Sequence, residues 1–145
     1  MVSGTGYSYA VPDGWDDIIN ESEAQGADTF VRSTEVVDGF RTNINTVVNP
    51  AHGVTDLDTI RNEAATELEH TVGKRPSQIA DITIAGERAI GQRAQFTTSG
   101  IDITMTQYAT VHNDQFVVMT VTSATADVST AVQAAQTVVS SWSWQ

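Results

Sequence analysis

Between residues 101 and 111 the apolar positions recur at every second residue. Ile101, Ile103, Met105, Ala109 and Val111 fall on one side, and Asp102, Thr104, Thr106, Tyr108 and Thr110 on the other. A strand sends successive side chains to opposite faces, so this segment predicts a half-buried strand with its apolar side inward. Comparable segments bracket it at 79–84, 87–98 and 115–123, separated by Ala85-Gly86, Ser99-Gly100 and Asn113-Asp114. Connections this short join antiparallel neighbours, which predicts a four-stranded meander. Upstream, residues 7–11, 15–19, 28–37 and 40–48 read as further strands. Pro12-Asp13-Gly14 supplies the turn chemistry between the first two, and Asp38-Gly39 predicts a tight hairpin between the last two. Phe40, Ile44 and Val48 share one face of that hairpin's second strand.

Twice the period changes to that of a helix. Leu57, Ile60, Ala64, Leu68 and Val72 form one stripe, with Glu63, Glu67 and Glu69 off it. Thr55 is the expected N-cap, with Asp58 three residues on; Gly73 suits the C′ position and Pro76 blocks continuation. Near the C-terminus Val128, Ala131, Val132, Ala135, Val138, Val139 and Trp142 form a second stripe behind Asp127, a good N-cap residue. That stripe predicts a helix docked firmly on the sheet, followed by a short tail over 143–145. Strands, helix, strands, helix in this order give an α+β class: a twisted antiparallel sheet with helices packed on it. No internal repeat or linker interrupts the chain. Residues 1–6, rich in Gly and Ser, read as a flexible leader and 7–145 as a single domain.

Charge narrows the functional classes. Eighteen acids against seven bases give a net charge of −11. Phosphate backbones repel such a surface and no basic stripe exists, so nucleic acid is not an expected partner, and docking to anionic lipid is disfavoured. The absence of cysteine removes disulfides, thiolate metal sites and cysteine nucleophiles. No apolar run approaches the roughly 20 residues of a membrane span, so this domain is not expected to insert in a membrane. The first six residues carry no signal-peptide pattern. The start is read either as that of a cytosolic protein or as Met1 added to a trimmed mature domain.

Candidate chemistry is sparse. His52, His70 and His112 share no metal-ligand spacing and read as separate surface or capping residues. The acids Asp13, Asp16, Asp17, Glu21, Glu23 and Asp28 cluster early but lack the ligand order of a calcium loop. No G-x-S-x-G, S-x-x-K or P-loop pattern occurs. No catalytic residue, metal or cofactor is therefore expected, and the chain is read as non-enzymatic. Among the aromatics, Trp15 and Trp142 are expected in the core. Tyr108 and Trp144 are the candidate partner-binding residues: one sits on the polar side of its strand and the other is nearly terminal, and an exposed aromatic is a natural interface anchor. Packing against a second layer of the domain is read ahead of that role for both.

Residues 7–15, Tyr-Ser-Tyr-Ala-Val-Pro-Asp-Gly-Trp, resemble the aromatic, strand, Pro-x-Gly-Trp opening of PsbP-like domains. The similarity continues through Thr42-Asn-Ile-Asn-Thr-Val-Val48, the 57–72 helix, Ala85-Gly86-Glu87-Arg88-Ala89, the Phe96-ended strand and the Ser141-Trp142 close of the last helix. Within that family it resembles most the LpqN-type lipoproteins of actinobacteria and the related DcrB-like proteins. The resemblance implies an α/β/α sandwich and a non-enzymatic accessory or binding domain, extracytoplasmic, in the cell envelope or secreted. Its expected partner is a protein or an apolar ligand, and a lipid anchor upstream of Met1 is implied. The chain departs from the exported pattern in having neither leader nor lipobox Cys, which is read as trimming. Two alternatives stand beside this one: a cytoplasmic DcrB-like chaperone for hydrophobic segments of secreted effectors, and a small hydrolase of unrecognised type.

Overall fold

The computed structural model describes residues 1–145. In chain order it contains β1 (Val2–Gly4), β2 (Tyr7–Tyr9), β3 (Trp15–Asp17), β4 (Thr29–Ser33), β5 (Asn43–Pro50), α1 (Leu57–Val72) and β6 (Ser77–Ile84). There follow β7 (Glu87–Thr98), β8 (Ile101–His112), β9 (Gln115–Ala124), α2 (Val128–Ser141) and β10 (Ser143–Trp144). Seven strands form one sheet in the order β3-β4-β5-β9-β8-β7-β6, and β1-β2-β10 form a small second sheet. All pairings are antiparallel. The class is α+β, as the periodicities predict.

The meander β6–β9 forms with the turns expected. Ala85-Gly86, Ser99-Gly100 and Asn113-Asp114 all have positive φ at both central residues, the condition for a two-residue turn that follows strand twist. Asp38-Gly39 has the same geometry, but the hairpin around it is looser than predicted. Only Val37 and Phe40 bridge there, and regular pairing starts at Arg32 opposite Asn43. Thr34 is drawn away instead, donating its N–H and hydroxyl to the Gly14 carbonyl.

Alternation along β8 and β9 separates two apolar layers. Ala109, Phe116 and Val118 face α1 with Ile60, Ala64 and Ile90. Val117, Met119 and Val121 face the other side, with Val31, Ile44, Ala131, Ala135 and Val138. The helices therefore cover opposite faces, giving an α/β/α sandwich. The threonine side of β8, expected outward, is buried: Thr104, Thr106 and Thr110 are all enclosed beneath the second layer. Their hydroxyls are satisfied locally, Thr110 donating to the Arg88 carbonyl and Thr104 meeting Thr125 Oγ1 at 2.8 Å. A hydroxyl that keeps a hydrogen bond can be buried at little cost.

Helix α1 starts one residue later than predicted. Asp56, not Thr55, caps it, accepting from Thr59 N–H at 3.0 Å and Thr59 Oγ1 at 2.8 Å. These hydrogen bonds hold the Asp56 carboxyl below its ordinary pKa. Gly73 ends the helix in the left-handed conformation, as expected. Beneath α1, Gln92 donates to the Ala64 carbonyl and to Gln107 Oε1, and Gln107 donates to Thr120 Oγ1. This polar ladder ties the helix backbone to three strands, and nothing in the local periodicity announces it. Asp127 stands at the α2 N-cap position but does not cap it; its carboxylate accepts from Thr42 Oγ1 at 2.7 Å.

The chain ends meet in an aromatic stack. Trp142 lies nearly parallel to Tyr7 and Tyr9, with ring centroids 4.4 and 5.5 Å away. Tyr9 donates its hydroxyl proton to Thr29 Oγ1 at 3.0 Å, and the Tyr7 hydroxyl lies 3.1 Å from the same atom. The expected flexible leader is thereby corrected. Val2 is buried, β1 pairs with β2, and Asp28 accepts from Thr5 N–H and Oγ1. Only glycine fits at position 4, because a Cβ there would clash with the Tyr7 ring and the Asp28 carboxylate. Trp142 is core, as predicted, and Trp15 is half-buried against the same layer.

All three tyrosines have raised pKa values, burial being the first cause in each; that of Tyr9 is pushed up to about 12. The phenol is held neutral, so its stabilising contribution is complete below the ordinary pKa of about 10 and is lost as pH rises from there towards 12. Phenolate absorbance of the native protein is expected to stay low at pH 10 and to appear together with loss of near-UV dichroism. Phenolate signal from Tyr7 and Tyr9 below that transition would contradict the stack described here.

Candidate functional site

The predicted residues do not converge on one site. His52, in a left-handed loop residue, borders an open depression with Glu63 and Glu67, but no serine, threonine or lysine lines it to serve as a nucleophile. His70 occupies the last turn of α1, where a cation suits the helix dipole. His112 stacks on Trp144 at 4.2 Å and its Nδ1 is 3.7 Å from Glu87 Oε1. No group of three or more His, Asp or Glu side chains has metal-binding geometry. Four of the six early acids are spent on structure: Arg32 pairs with Glu21 and Glu23, Asp17 accepts from Ile19 N–H, and Asp28 anchors Thr5, while Asp13 and Asp16 are exposed.

Trp144, expected at the surface, is half-buried. Its Nε1–H donates to the Ile84 carbonyl at 3.1 Å, and β10 pairs with β2. It fastens the small sheet to the corner of the large one. Tyr108 is also half-buried, yet its ring forms part of an apolar feature of the surface.

That feature is a cleft of about 200 Å³ between α2 and the outer strands. Its helix wall is made by Val128, Ala131, Val132, Ala135 and Val139, and its floor by Ile82, Thr106, Tyr108 and Val121. The α2 stripe, expected to dock firmly on the sheet, is shared between two surfaces. Ala131, Ala134, Ala135 and Val138 turn inward, whereas Val132 is 40% exposed at the cleft. The signal that could have marked it was present: the stripe is wider than one buried seam needs, and α2 carries no charged residue at all.

Glycine shapes the floor. A Cβ at Gly91 would sit 2.7 Å from the Ala80 carbonyl oxygen, 2.8 Å from Ile79 Cγ1 and 3.1 Å from the Tyr108 ring. Its absence lets the tyrosine lie across β7 towards β6. Arg93, two residues on and on the same face, donates from Nε to Thr106 Oγ1 at 3.0 Å. Burial raises the Tyr108 pKa and the Arg93 charge partly offsets it.

No family model matches the sequence, and no curated protein matches it. Solved structures do match the fold. The chain is similar to LpqN of Mycobacterium tuberculosis, described as involved in cell envelope biogenesis, with a TM-score of 0.66 at 15% identity over 97% of this chain and 84% of that one. It is similar to cyanobacterial PsbP (CyanoP) of Synechocystis, with a TM-score of 0.61 at 12% identity over 97% and 87%. A Bacteroides thetaiotaomicron protein matches with a TM-score of 0.65 at 13% identity over 97% of this chain but 45% of its own length. The fold is PsbP-like and shared with LpqN.

Replacing Gly91 by Ala is expected to lower stability by about 1–3 kcal/mol, because a rigid carbonyl and a packed Ile79 stand where the methyl would go. Urea unfolding measures it; a change under about 0.5 kcal/mol would mean that β6 and the Tyr108 ring move freely aside.

Proposed function

We propose, from a PsbP-like fold and a cleft that is apolar where the rest of the chain is acidic, that this protein is a non-enzymatic accessory domain of the cell envelope. It acts outside the cytoplasm by holding an apolar ligand, or an apolar segment of a protein partner, between α2 and the outer strands. The cleft carries this reading. Its lining includes eight hydrophobic residues of twelve and no carboxylate, although the chain has 18 acids. Concave, mostly apolar sites with a few polar groups are the usual form of ligand pockets. The likeness to LpqN, whose description ties it to envelope biogenesis, supports the location.

The chaperone alternative has less support. It needs a broad exposed apolar surface, and the large apolar side chains that stand exposed are Met1, Val36 and Val132. The hydrolase alternative has only His52 with Glu63 and Glu67 in an open depression, without the serine, threonine or lysine of a triad-type site. No helix is long and apolar enough to cross a membrane, so envelope association would run through a partner, a ligand or an attached anchor.

A neutral solvatochromic dye is expected to bind the full chain with a blue-shifted emission. Val132→Phe, which narrows the cleft from an exposed position of its wall, should weaken that binding about tenfold or more while circular dichroism stays native. Dye binding unaffected by Val132→Phe would remove the cleft as the site. Fractionation of the source cells should recover the native protein with the envelope or the medium; recovery in the cytosol alone would overturn the location.

A further inference from the structure

The cleft lining carries no charge, but one basic residue touches its floor and points to a ligand class. Seven basic residues serve the whole chain. Arg32, Arg61, Arg75 and Arg88 are each paired with a carboxylate. Arg41 and Lys74 are exposed. Arg93 alone is half-buried with no carboxylate partner. It stands beside the cleft, tied through Nε to Thr106, a residue of the cleft floor, and close enough to Tyr108 for its charge to act on that hydroxyl.

We propose that the cleft binds a single-chain fatty carboxylate, its tail lying along the apolar wall of α2 and its carboxylate paired with Arg93. This rests on the apolar-ligand reading above and deepens it. Three observations select the class. With Nε engaged on Thr106, the two terminal amino groups of the guanidinium are free, and their planar fork matches a carboxylate. The half-buried setting screens such a pair less than open water does. At about 200 Å³ the cleft lies below the roughly 300–1,000 Å³ of pockets for drug-sized ligands, which suits one narrow tail.

The net charge of −11 does not oppose this binding as it opposes docking to an anionic bilayer. A bilayer presents its charge to a whole face of the protein, whereas one carboxylate meets only its local field. That field is set by Arg93, the uncharged α2 and a lining without acids.

The test uses the full chain and three probes with twelve-carbon chains, the carboxylate carbon counted in the first, below their micelle concentrations: dodecanoate, dodecyl maltoside and dodecyltrimethylammonium. Calorimetry is expected to give dodecanoate at least about tenfold tighter binding than the trimethylammonium probe, with the gap narrowing as salt is raised. Arg93→Gln should weaken dodecanoate about tenfold and leave the maltoside unchanged, which also shows that the variant is folded. Val132→Trp, placed at an exposed cleft position, should weaken all three. Equal binding of the three probes, or an Arg93→Gln variant that keeps the dodecanoate preference, overturns the carboxylate assignment while the apolar cleft stands. Failure of all three to bind overturns both.

Discussion

The stack of Trp142 on Tyr7 and Tyr9 is the contact on which the rest of the molecule depends. It is made by residues more than 130 positions apart, and it joins the end of α2 to the first strands of the chain. Aromatic faces at such separations add a directional attraction to a large burial of surface. The two hydroxyls reach past the stack to Thr29, so the same contact fixes the small sheet against β4. Once Trp142 is held there, α2 must run back across the sheet from one corner, and its path is no longer free.

That path leaves surface uncovered. Seven strands at a spacing of about 4.8 Å span roughly 29 Å, whereas a helix with its side chains is only about 10 Å across. Held over β9 by the stack, α2 shields the middle of its face, and the small sheet shields one corner. The strip over β8, β7 and β6 is left to Tyr108, Ile82 and the outer flank of the helix. The cleft is thus a consequence of width rather than of any local motif. The opposite face shows the contrast. There α1 is tied down by the Gln92 and Gln107 ladder and by Asp81, which receives Arg61 from the helix and Arg88 from β7.

Charge follows the same division. Acids gather in the early loops and along α1, where Arg32 and water take up their fields, and they are missing from α2 and the cleft lining. A surface free of acids in a chain of net charge −11 is the feature that separates a candidate binding face from a merely solvated one.

The amino-acid sequence by itself determined the class of the fold and most of its elements. Alternation set β8, the two-residue turns set the meander, and the 57–72 stripe with Gly73 set α1, because each of these signals acts between residues a few positions apart. It did not determine which side of β8 would be covered, that residues 2–4 would pair, or that Asp127 would turn to Thr42 and Trp144 to Ile84. Nor did it separate the part of the α2 stripe that is core from the part that lines a cleft. Those outcomes belong to the tertiary structure. They rest on which distant side chains meet, and a periodicity that records a residue's preference for an apolar neighbour does not say whether that neighbour will be a strand, a ring or a bound ligand.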